Sequence, residues 1–460
     1  MAQDEIERAR AALSEGRLDD AEALCRSVSD EAAAHGLLGH VLRHRRRHDD
    51  ALAEFERALA LDPDLPGAAM DRADELQTLG RNDEAVEAYR RVLAAEPLND
   101  RAHRQLNNLL YRLGDDANFL KSYDEAAAKF PGRPILPLGK GGFLLQVGRL
   151  DDAESCFARA AQLLPGAIAP LNGLAATFAR KGDYARAIAT HRRIAELAPR
   201  HADSWISYCE TLLRAREATE ARGAADMAVG LDPLNQGAIA FQSLAMRAQG
   251  DARDEWLNDF DSLVQVFALE PPEGFADMES FNAALAEELG TLHSGKREFL
   301  SQSLRGGTQT VNDLFTARHD LVDRLRARID EAVGAYIARL KSDETHPLLS
   351  RKRDAFAYAA SWSSRLSDCG FHTNHVHPKG WISSAYYVAV PDAANDAAAK
   401  QGWIKFGEPS FDAGLADPIR RAVQPRPGTL VLFPSYMWHG TVPFHSASHR
   451  TTIAFDVVPR

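Results

Sequence analysis

The stretch Leu150–Pro165, LDDAESCFARAAQLLP, decides the fold of the first half of the chain. Its apolar residues recur at helical spacing, its charged residues fall on the opposite side, and a proline ends it. The pattern returns along the chain, because prolines stand 34 residues apart at Pro63, Pro97, Pro131, Pro165, Pro199 and Pro233. A period of this length predicts a repeated helix-turn-helix unit.

Other landmarks share this period. Seventeen residues after the prolines stand the turn glycines Gly80, Gly114, Gly148, Gly182 and Gly250, with Arg216 out of pattern at the fifth position. Glycine ends a helix and permits a tight turn. Within each unit a small residue such as Ala153 lets two helices approach, and a ring four residues later, such as Phe157, fills the space between them. Phe119 replaces the small residue in one unit. Gly16 lies 30 residues before Arg46, so we expect the first unit to be a shortened cap.

A 34-residue helix-turn-helix with these landmarks resembles the tetratricopeptide repeat, and the resemblance covers roughly residues 3–250. It implies a helical solenoid whose concave face binds a protein or peptide. We assign residues 1–255 to this solenoid, with about six to seven repeats. The basic run Arg43–His48, RHRRRH, is interpreted as a solvated charged loop rather than a nucleic-acid patch, because Asp49 and Asp50 follow it directly.

Composition sets limits on the class of protein. The 460 residues are 45 % hydrophobic and 26 % charged, and 65 acidic against 54 basic residues give a net charge of −11, which argues against a nucleic-acid partner. The four cysteines show no C-x-x-C spacing, which favours a reducing compartment and argues against a zinc-thiolate site. The first residues lack the apolar core of a signal peptide, and no run of about 18 apolar residues occurs. These features predict a cytoplasmic protein without a membrane span.

Past Gly250 the 34-residue period fails. We expect a helical linker over 256–300, with helices around 278–293 and 315–341. Between these helices SLRGGTQT, Ser303–Thr310, is expected to form a polar, glycine-rich loop. From about residue 354 short runs rich in β-branched and aromatic residues alternate with turn signals, which predicts an antiparallel sandwich or barrel. The predicted architecture is multidomain α + β: an all-α solenoid, then a domain over 301–460 with a jelly-roll core at about 354–460.

Histidines cluster in GFHTNHVHPKGW at His372, His375 and His377. If this segment is a strand, His375 and His377 point to one face and can bind one ion. His439 stands at the start of another predicted strand. Arg450 follows eleven residues later, and Thr452 would share its face. Three imidazoles beside a buried cation predict a divalent metal with an anionic ligand, and a guanidinium matches a carboxylate bidentately.

The order H-x-H, SSAYYV, GWIKF, GTLVLFPS, a distal histidine and an arginine resembles the iron(II)/2-oxoglutarate-dependent oxygenases. In particular it resembles the bacterial branch in which tetratricopeptide repeats precede a double-stranded β-helix domain, here over roughly 300–460. The resemblance implies Fe(II), with 2-oxoglutarate and O2 as co-substrates, and no catalytic residue beyond the metal ligands. It makes His375 and His439 metal ligands and Arg450 the anchor of the distal carboxylate. Tyr387 and Thr452 would be supporting hydrogen-bond donors.

His377 departs from the family pattern, because it falls where a carboxylate usually completes the ligand set. A third imidazole keeps the coordination number but removes one negative charge, so the identity of the metal is open. We predict the ligand set His375, His377 and His439. His372, or a water in place of His377, remains the alternative.

The resemblance implies oxidative decarboxylation of 2-oxoglutarate to succinate and carbon dioxide, coupled to hydroxylation of a C–H bond. We expect a protein or peptide substrate, recruited by the concave face of the solenoid. Three alternatives stay open. The chain could be a small-molecule hydroxylase whose repeats serve oligomerisation, a three-histidine metal enzyme that does not use 2-oxoglutarate, or a non-catalytic scaffold.

Overall fold

The computed structural model describes residues 2–293, 297–298, 300, 302–310, 313–316 and 319–460. Outside the described residues lie parts of the expected linker (294–296 and 299), of the expected oxygenase domain (301 and 311–312) and of the expected helix over 315–341 (317–318). The chain forms two compact units, residues 1–131 and 132–460. The boundary between them falls inside the expected repeat array.

The first unit is built from helix-turn-helix pairs. Its helices are α1 (Ala2–Ser14), α2 (Leu18–Ser27), α3 (Ala32–His44), α4 (His48–Leu61), α5 (Ala68–Thr78), α6 (Asn82–Ala95), α7 (Asp100–Leu113) and α8 (Lys121–Lys129). Helix α2 has 10 residues where α4 has 14, which agrees with a shortened first unit. Phe119 precedes α8 instead of lying within it, because Leu120 takes a left-handed φ of 66° just before the helix begins.

Ion pairs neutralise the basic run of this unit. Arg43 contacts Asp71 and Glu75, and Arg45 contacts the side chain of Asp19. Arg47 pairs with Asp50 at 2.7 Å. Only residues 45–47 lie in the turn between α3 and α4, so the run is a charged loop in part, with Arg43 and His44 in α3 and His48 in α4. Its arginines contact acidic side chains of the same unit.

The second unit continues the repeats. Its first helices are α9 (Ile135–Gln146), α10 (Leu150–Leu163), α11 (Ile168–Lys181), α12 (Tyr184–Leu197), α13 (Ala202–Arg214), α14 (Ala218–Leu231) and α15 (Gln236–Ala248). Phe157 is 4 % exposed and lies so close to Gly173 that a Cβ there would be 2.4 Å from the ring. Arg216, where the pattern expects glycine, keeps the left-handed turn with φ 65°. The turn geometry therefore survives without glycine.

Beyond the repeats the second unit is rich in β-structure. Its helices are α16 (Arg253–Leu257), α17 (Phe260–Leu263), α18 (Met278–Leu292) and α19 (Asp320–Arg339), and its strands are β1 (Gln265–Ala268), β2 (Leu304–Gln309), β3 (Phe356–His372), β4 (Ile382–Ala389), β5 (Ile404–Phe406), β6 (Arg421–Val423), β7 (Thr429–Pro434), β8 (His439–Thr441) and β9 (Arg450–Pro459). One antiparallel sheet has the order β1-β7-β4-β9-β3-β2 and the other β6-β5-β8. The predicted fold class, a helical solenoid followed by a jelly-roll domain, is confirmed. Among the described residues, every helix is too short or too polar for a bilayer crossing.

Two local expectations are wrong. SLRGGTQT is strand β2 rather than a loop, and it pairs antiparallel with β3. Its glycines allow a close approach of backbones, because a Cβ at Gly307 would lie 2.3 Å from the Arg365 carbonyl oxygen. Strand β1 interrupts the segment 256–300, which was expected to be helical, and pairs with β7. Both strands lie at the edges of the large sheet, where polar sequences are tolerated.

Within the second unit, the last repeats pack directly on the β domain. A continuous buried core extends from Tyr208 of α13 to Val457 of β9. The ring of Phe241 meets Trp438 edge-on at 5.4 Å between centroids, and the indole N–H of Trp438 donates to the Ala240 carbonyl at 3.4 Å. Helix α15 also begins beside the histidine segment, because the Gln236 N–H donates to the Pro378 carbonyl at 3.2 Å.

Candidate metal and co-substrate site

Three histidines converge on one point in a cavity of the β domain. His439 is the first residue of β8, whereas His375 and His377 lie in the irregular segment between β3 and β4. A single antiparallel bridge joins His375 to His439, with N–H···O distances of 2.9 and 3.0 Å. The expectation that the H-x-H pair lies on a regular strand is therefore wrong. The bridge brings the rings of His375 and His439 together, and the His377 N–H, which donates to the Ser435 carbonyl at 2.9 Å, places the third ring beside them.

The hydrogen bonds of the Nδ1 atoms show which ring nitrogens are free to bind an ion. Nδ1 of His375 donates to the Thr373 carbonyl at 2.8 Å, and Nδ1 of His439 donates to the Met437 carbonyl at 2.9 Å. Because carbonyl oxygens only accept, each Nδ1 carries the proton and each Nε2 keeps its lone pair. The three histidines offer ligand atoms that all lie within 4.8 Å of one another.

This donor set fits a divalent metal ion. The Nε2 atoms of His375 and His377 are 3.1 Å apart, and two nitrogens bound at ~2.1 Å at a right angle would be ~3.0 Å apart. Burial, followed by the neighbouring His377, lowers the pKa of His375 to about 3. Burial likewise lowers the pKa of His439 well below its usual range. Both rings are therefore neutral near pH 7, which is the form that binds a metal.

His372 lies apart from this cluster. Its Nδ1 is 3.3 Å from the Thr441 hydroxyl, and its ring centroid is 6.3 Å from that of His375. It lines the same cavity. The described residues that converge on one point are thus His375, His377 and His439, with His372 outside the set.

Asp456 is a site residue that the sequence analysis missed. Both of its carboxylate oxygens accept from Nδ1 of His377, at 2.6 and 2.8 Å, and Oδ1 also accepts from the Ser383 hydroxyl at 2.6 Å. The negative charge that the ligand set lacks therefore lies directly behind His377. The signal for it was present, because alternation along β9 puts Asp456 on the face of Arg450 and Thr452.

Arg450 is a buried cation at the start of β9. It is 2 % exposed, and its Nε donates to the Gly402 carbonyl at 3.0 Å. Its guanidinium carbon lies 5.1 Å from the centroid of the Tyr387 ring. Among the described residues, no aspartate or glutamate forms an ion pair with Arg450. Burial lowers its pKa from the usual value, and a buried charge of this kind is costly unless it is paired.

Tyr387 and Thr452 lie beside this cation. Strand pairing sets Tyr387 opposite Thr452, and both are buried. Burial raises the pKa of Tyr387, and the Arg450 guanidinium beside its hydroxyl opposes that rise. Apart from this guanidinium the hydroxyl has no hydrogen-bond partner among the described residues, although buried polar groups are nearly always satisfied. A guanidinium without a carboxylate partner, beside a hydroxyl whose proton has no acceptor among the described residues, fits an anionic ligand. The roles of Arg450, Tyr387 and Thr452 remain predictions.

A cavity of about 610 Å³ connects the two groups of residues. The three histidines, Arg450, Thr452 and Asp456 line it, and Trp362 forms part of its wall with its ring 5.6 Å from that of His377. A space of this size accommodates a small ligand together with a substrate group.

Residues 360–456 match the family described as "Putative 2OG-Fe(II) oxygenase". Residues 32–65, 70–134 and 172–235 match tetratricopeptide-repeat families. The chain carries tetratricopeptide repeats and a domain of this oxygenase family. The oxygenase match contains the three histidines, Arg450 and Asp456.

Individual relatives resemble the chain in part. It is 35 % identical over 80 residues to the TPR repeat-containing thioredoxin TTL4 of Arabidopsis thaliana, which covers 17 % of this chain and 12 % of that protein. Identity to the Protein CTR9 homolog of Arabidopsis thaliana is 27 % over 185 residues, covering 37 % of this chain and 17 % of that one. The crystal structure of yeast Tom70 gives a TM-score of 0.43 at 20 % identity and covers 56 % of each chain. The chain thus spans well under a fifth of the length of these two curated relatives.

Proposed function

We propose that the chain is an Fe(II)- and 2-oxoglutarate-dependent dioxygenase that hydroxylates a C–H bond of a protein or peptide. The observation that carries the proposal is the unpaired, buried guanidinium of Arg450, which lines the same cavity as three converging imidazoles. A buried cation is stabilised when a ligand supplies the missing anion. A dicarboxylate with one metal-binding end meets both requirements of this cavity.

Arg450, Tyr387 and Thr452 would hold the co-substrate. The guanidinium would bind the distal carboxylate of 2-oxoglutarate in a bidentate manner, because its planar fork matches a carboxylate. The Tyr387 hydroxyl, whose proton has no acceptor among the described residues, would donate to the same group. Thr452 lines the cavity beside them and offers a second hydroxyl. The keto acid end would remain for the metal.

His375, His377 and His439 would hold Fe(II), which when bound supplies dioxygen activation coupled to decarboxylation of the keto acid. The carbonyls of Thr373 and Met437 fix two of the rings in the tautomer that leaves Nε2 free. Asp456 orients the ring of His377 and increases its basicity through the bond to Nδ1. A third imidazole in place of a carboxylate ligand would leave the metal with one negative charge fewer. The carboxylate of Asp456 supplies that charge from the far side of the His377 ring.

The preference for a polypeptide substrate is supported by the neighbourhood of the cavity. Pro378 and Lys379 line the cavity and also a second depression, whose other residues include Arg200 and Leu234 at the turns before α13 and α15. Leu234 is 58 % exposed, so an apolar contact is available there. A chain that lies along the last repeats could therefore present one side chain to the histidines.

Succinate release from 2-oxoglutarate tests the first part of the proposal. We expect Arg450→Met to lower kcat/KM for 2-oxoglutarate at least ~100-fold, mainly through KM, because two charge-assisted hydrogen bonds are lost. Arg426→Met is the matched control, since Arg426 is an exposed arginine of the same domain. Equal kinetic constants in both variants would contradict the proposal.

Oxygen incorporation into a total tryptic peptide mixture tests the substrate class. We expect a 2-oxoglutarate-dependent mass increase of one oxygen on a subset of peptides. Leu234→Asp should reduce it at least ~10-fold, because the apolar contact is lost, and should leave peptide-independent succinate release unchanged. Ile419→Asp, at a residue 45 % exposed on the β domain, is the control. Succinate release without any peptide product would favour a small-molecule substrate.

The second candidate is a metal oxygenase that uses three histidines without 2-oxoglutarate. The observation that favours it is His377, which gives an all-imidazole ligand set. This candidate predicts metal binding that is independent of 2-oxoglutarate and equal activity in wild type and Arg450→Met. The kinetic comparison above therefore separates the two.

A further inference from the structure

A second cluster of metal-binding side chains lies near the end of β3. Asp368 and Cys369 belong to β3, and His445 follows β8 along the chain. The Cys369 Sγ is 3.3 Å from His445 Nδ1, His445 Nδ1 is 3.4 Å from an oxygen of Asp368, and the thiol is 3.6 Å from the other Asp368 oxygen. The cluster shares no residue with the three cavity histidines, and the proposed function does not use it.

These separations match the edges of a zinc site. Sulfur at ~2.3 Å and nitrogen or oxygen at ~2.0–2.1 Å in a tetrahedron lie ~3.3–3.6 Å from one another. The two edges that meet at His445 Nδ1, to Cys369 Sγ and to Asp368 Oδ1, fall in this range. One ligand atom from each of the three exposed residues lies within 4.8 Å of the other two. One thiolate, one imidazole and one carboxylate form a donor set that suits Zn²⁺, whereas Mg²⁺ and Ca²⁺ prefer oxygen ligands alone.

Hydrogen bonds fix the backbone at Cys369 and His445 and the side chain of Asp368. The Cys369 N–H donates to the Phe444 carbonyl at 2.8 Å, and the Ser446 N–H donates to Asp368 Oδ1 at 3.0 Å. The His445 N–H donates to the Gln401 side chain at 2.8 Å. Cys369 is also held at a left-handed φ of 60°, a conformation that residues with a Cβ adopt at a cost and that is concentrated at functional sites.

The electrostatics argue against a reactive thiol at this position. Desolvation and the hydrogen bond to Asp368 raise the pKa of Cys369, so the thiol is protonated near neutral pH and is a weak nucleophile. The Ser446 N–H, followed by Cys369 and His445, lowers the pKa of Asp368, so the carboxylate is charged. A bound cation would reverse the first effect, because the thiol proton would leave to solvent as the metal–sulfur bond forms.

We propose that Asp368, Cys369 and His445 form a Zn²⁺ site whose fourth position is taken by water. The ion would join β3 to the segment that leads from His445 to Arg450, the first residue of β9. The lack of C-x-x-C spacing argued against a zinc-thiolate site, but Cys369 and His445 are 76 residues apart. Only the folded chain brings them together.

Cobalt(II), a spectroscopic stand-in for zinc, tests the site in the full chain after chelator treatment. We expect a saturable sulfur-to-cobalt charge-transfer band in the near ultraviolet, which the sulfur-free histidine cluster cannot produce. Cys369→Ser should abolish the band, and His445→Ala should weaken cobalt binding at least tenfold. Cys156→Ser, at a partly buried cysteine, is the matched control and should keep the band. Zn²⁺ should displace the cobalt and remove the band.

The absence of a band in the wild type would overturn the proposal, as would a band that persists in Cys369→Ser or vanishes in Cys156→Ser. His439→Ala should retain the band, because the two clusters share no ligand. As a second measurement, Zn²⁺ should slow iodoacetamide labelling of Cys369, read by mass spectrometry. Equal labelling with and without zinc would also overturn the proposal. Both measurements are independent of oxygenase activity.

Discussion

Two arginines, a partly buried one in the repeats and a fully buried one in the β domain, have opposite surroundings. Arg43, with its side chain 27 % exposed, contacts the carboxylates of Asp71 and Glu75 in the first unit. Arg450, which is 2 % exposed, contacts a carbonyl oxygen and the ring of Tyr387, and among the described residues no carboxylate pairs with it. The carboxylates of the first unit neutralise Arg43, whereas Arg450 has no carboxylate partner among the described residues.

The same contrast holds for two imidazole–carboxylate pairs. His48 Nδ1 lies 2.9 Å from Glu75, and His377 Nδ1 lies 2.6 Å from Asp456. In the cavity the remaining nitrogen of His377 is directed at a second imidazole nitrogen, 3.1 Å away. A similar pair therefore supports the repeat packing in one region and, under the proposed function, a metal ligand in the other.

The largest expected effect concerns Arg450. Arg450→Met should weaken binding of 2-oxoglutarate to the Fe(II)-loaded protein at least ~100-fold, because the bidentate contact is lost. The free energy of unfolding should stay equal or rise, because the change removes an uncompensated buried charge. Anaerobic calorimetry and urea unfolding check the two halves. A variant that loses stability but keeps its affinity for 2-oxoglutarate would break the comparison.

Arg43 should behave in the opposite way. Arg43→Met should lower the free energy of unfolding of the first unit by about 2–3 kcal/mol, because the buried carboxylates of Glu75 and Asp71 lose the guanidinium and keep only the imidazoles of His48 and His40. Affinity for 2-oxoglutarate should not change. Hydrogen exchange of α3 and α5 in the full chain measures the local stability. In the double variant Arg43→Met/Glu75→Gln part of the loss should be recovered, and additive losses would contradict this account.

Asp456 should matter for the metal more than for the fold. Asp456→Asn keeps an acceptor for Nδ1 of His377 but removes the negative charge, so we expect the affinity for Fe(II) to fall about 10–100-fold. Competition against a chromophoric chelator measures this. Glu75→Gln makes the same chemical change beside His48 and is the matched control. It should leave iron affinity unchanged, and a drop in both variants would refute the role given to Asp456.

The smallest effect is the pH dependence of the first unit. Burial alone would raise the pKa of Glu75, but hydrogen bonds from His48 and Arg43 outweigh it and lower the pKa. A carboxyl whose pKa is lower in the folded state stabilises the fold above its unfolded pKa of ~4.3, and the contribution is lost as the pH falls through the folded value. Wild-type stability should therefore drop below about pH 4 more steeply than that of Glu75→Gln, in denaturant titrations. Parallel curves would contradict this.

The sequence predicts most of the architecture, because periodic constraints leave a local record. Helix packing imposes prolines and turn glycines at a fixed spacing, and the β runs are short, rich in β-branched and aromatic residues, and separated by turn signals. Where glycine is missing, at Arg216, the fold still imposes a φ of 65°. The convergence of His375, His377 and His439 could likewise be predicted from the sequence. The backbone bridge between His375 and His439 could not.

The features that could not be predicted depend on contacts between distant segments. In the sequence, strand β2 has the polar, glycine-rich composition of a loop. It can keep that composition because it lies at a sheet edge, and Gly307 allows its backbone to approach Arg365 of β3. The packing of α15 against Pro378 joins residues far apart in the chain. Asp456 is an intermediate case, since strand alternation from Arg450 leads to it but only the structure reveals its bond to His377.

Anaerobic titration of the Fe(II)-loaded protein with 2-oxoglutarate tests the central claim most directly. The measured quantity is the weak visible charge-transfer band of an iron-chelated keto acid. We predict a saturable band in the wild type and in Arg426→Met, a shift of half-saturation by at least ~100-fold in Arg450→Met, and no band in His439→Ala. Iron binding without a band, or the same half-saturation with and without the Arg450 guanidinium, would contradict the account.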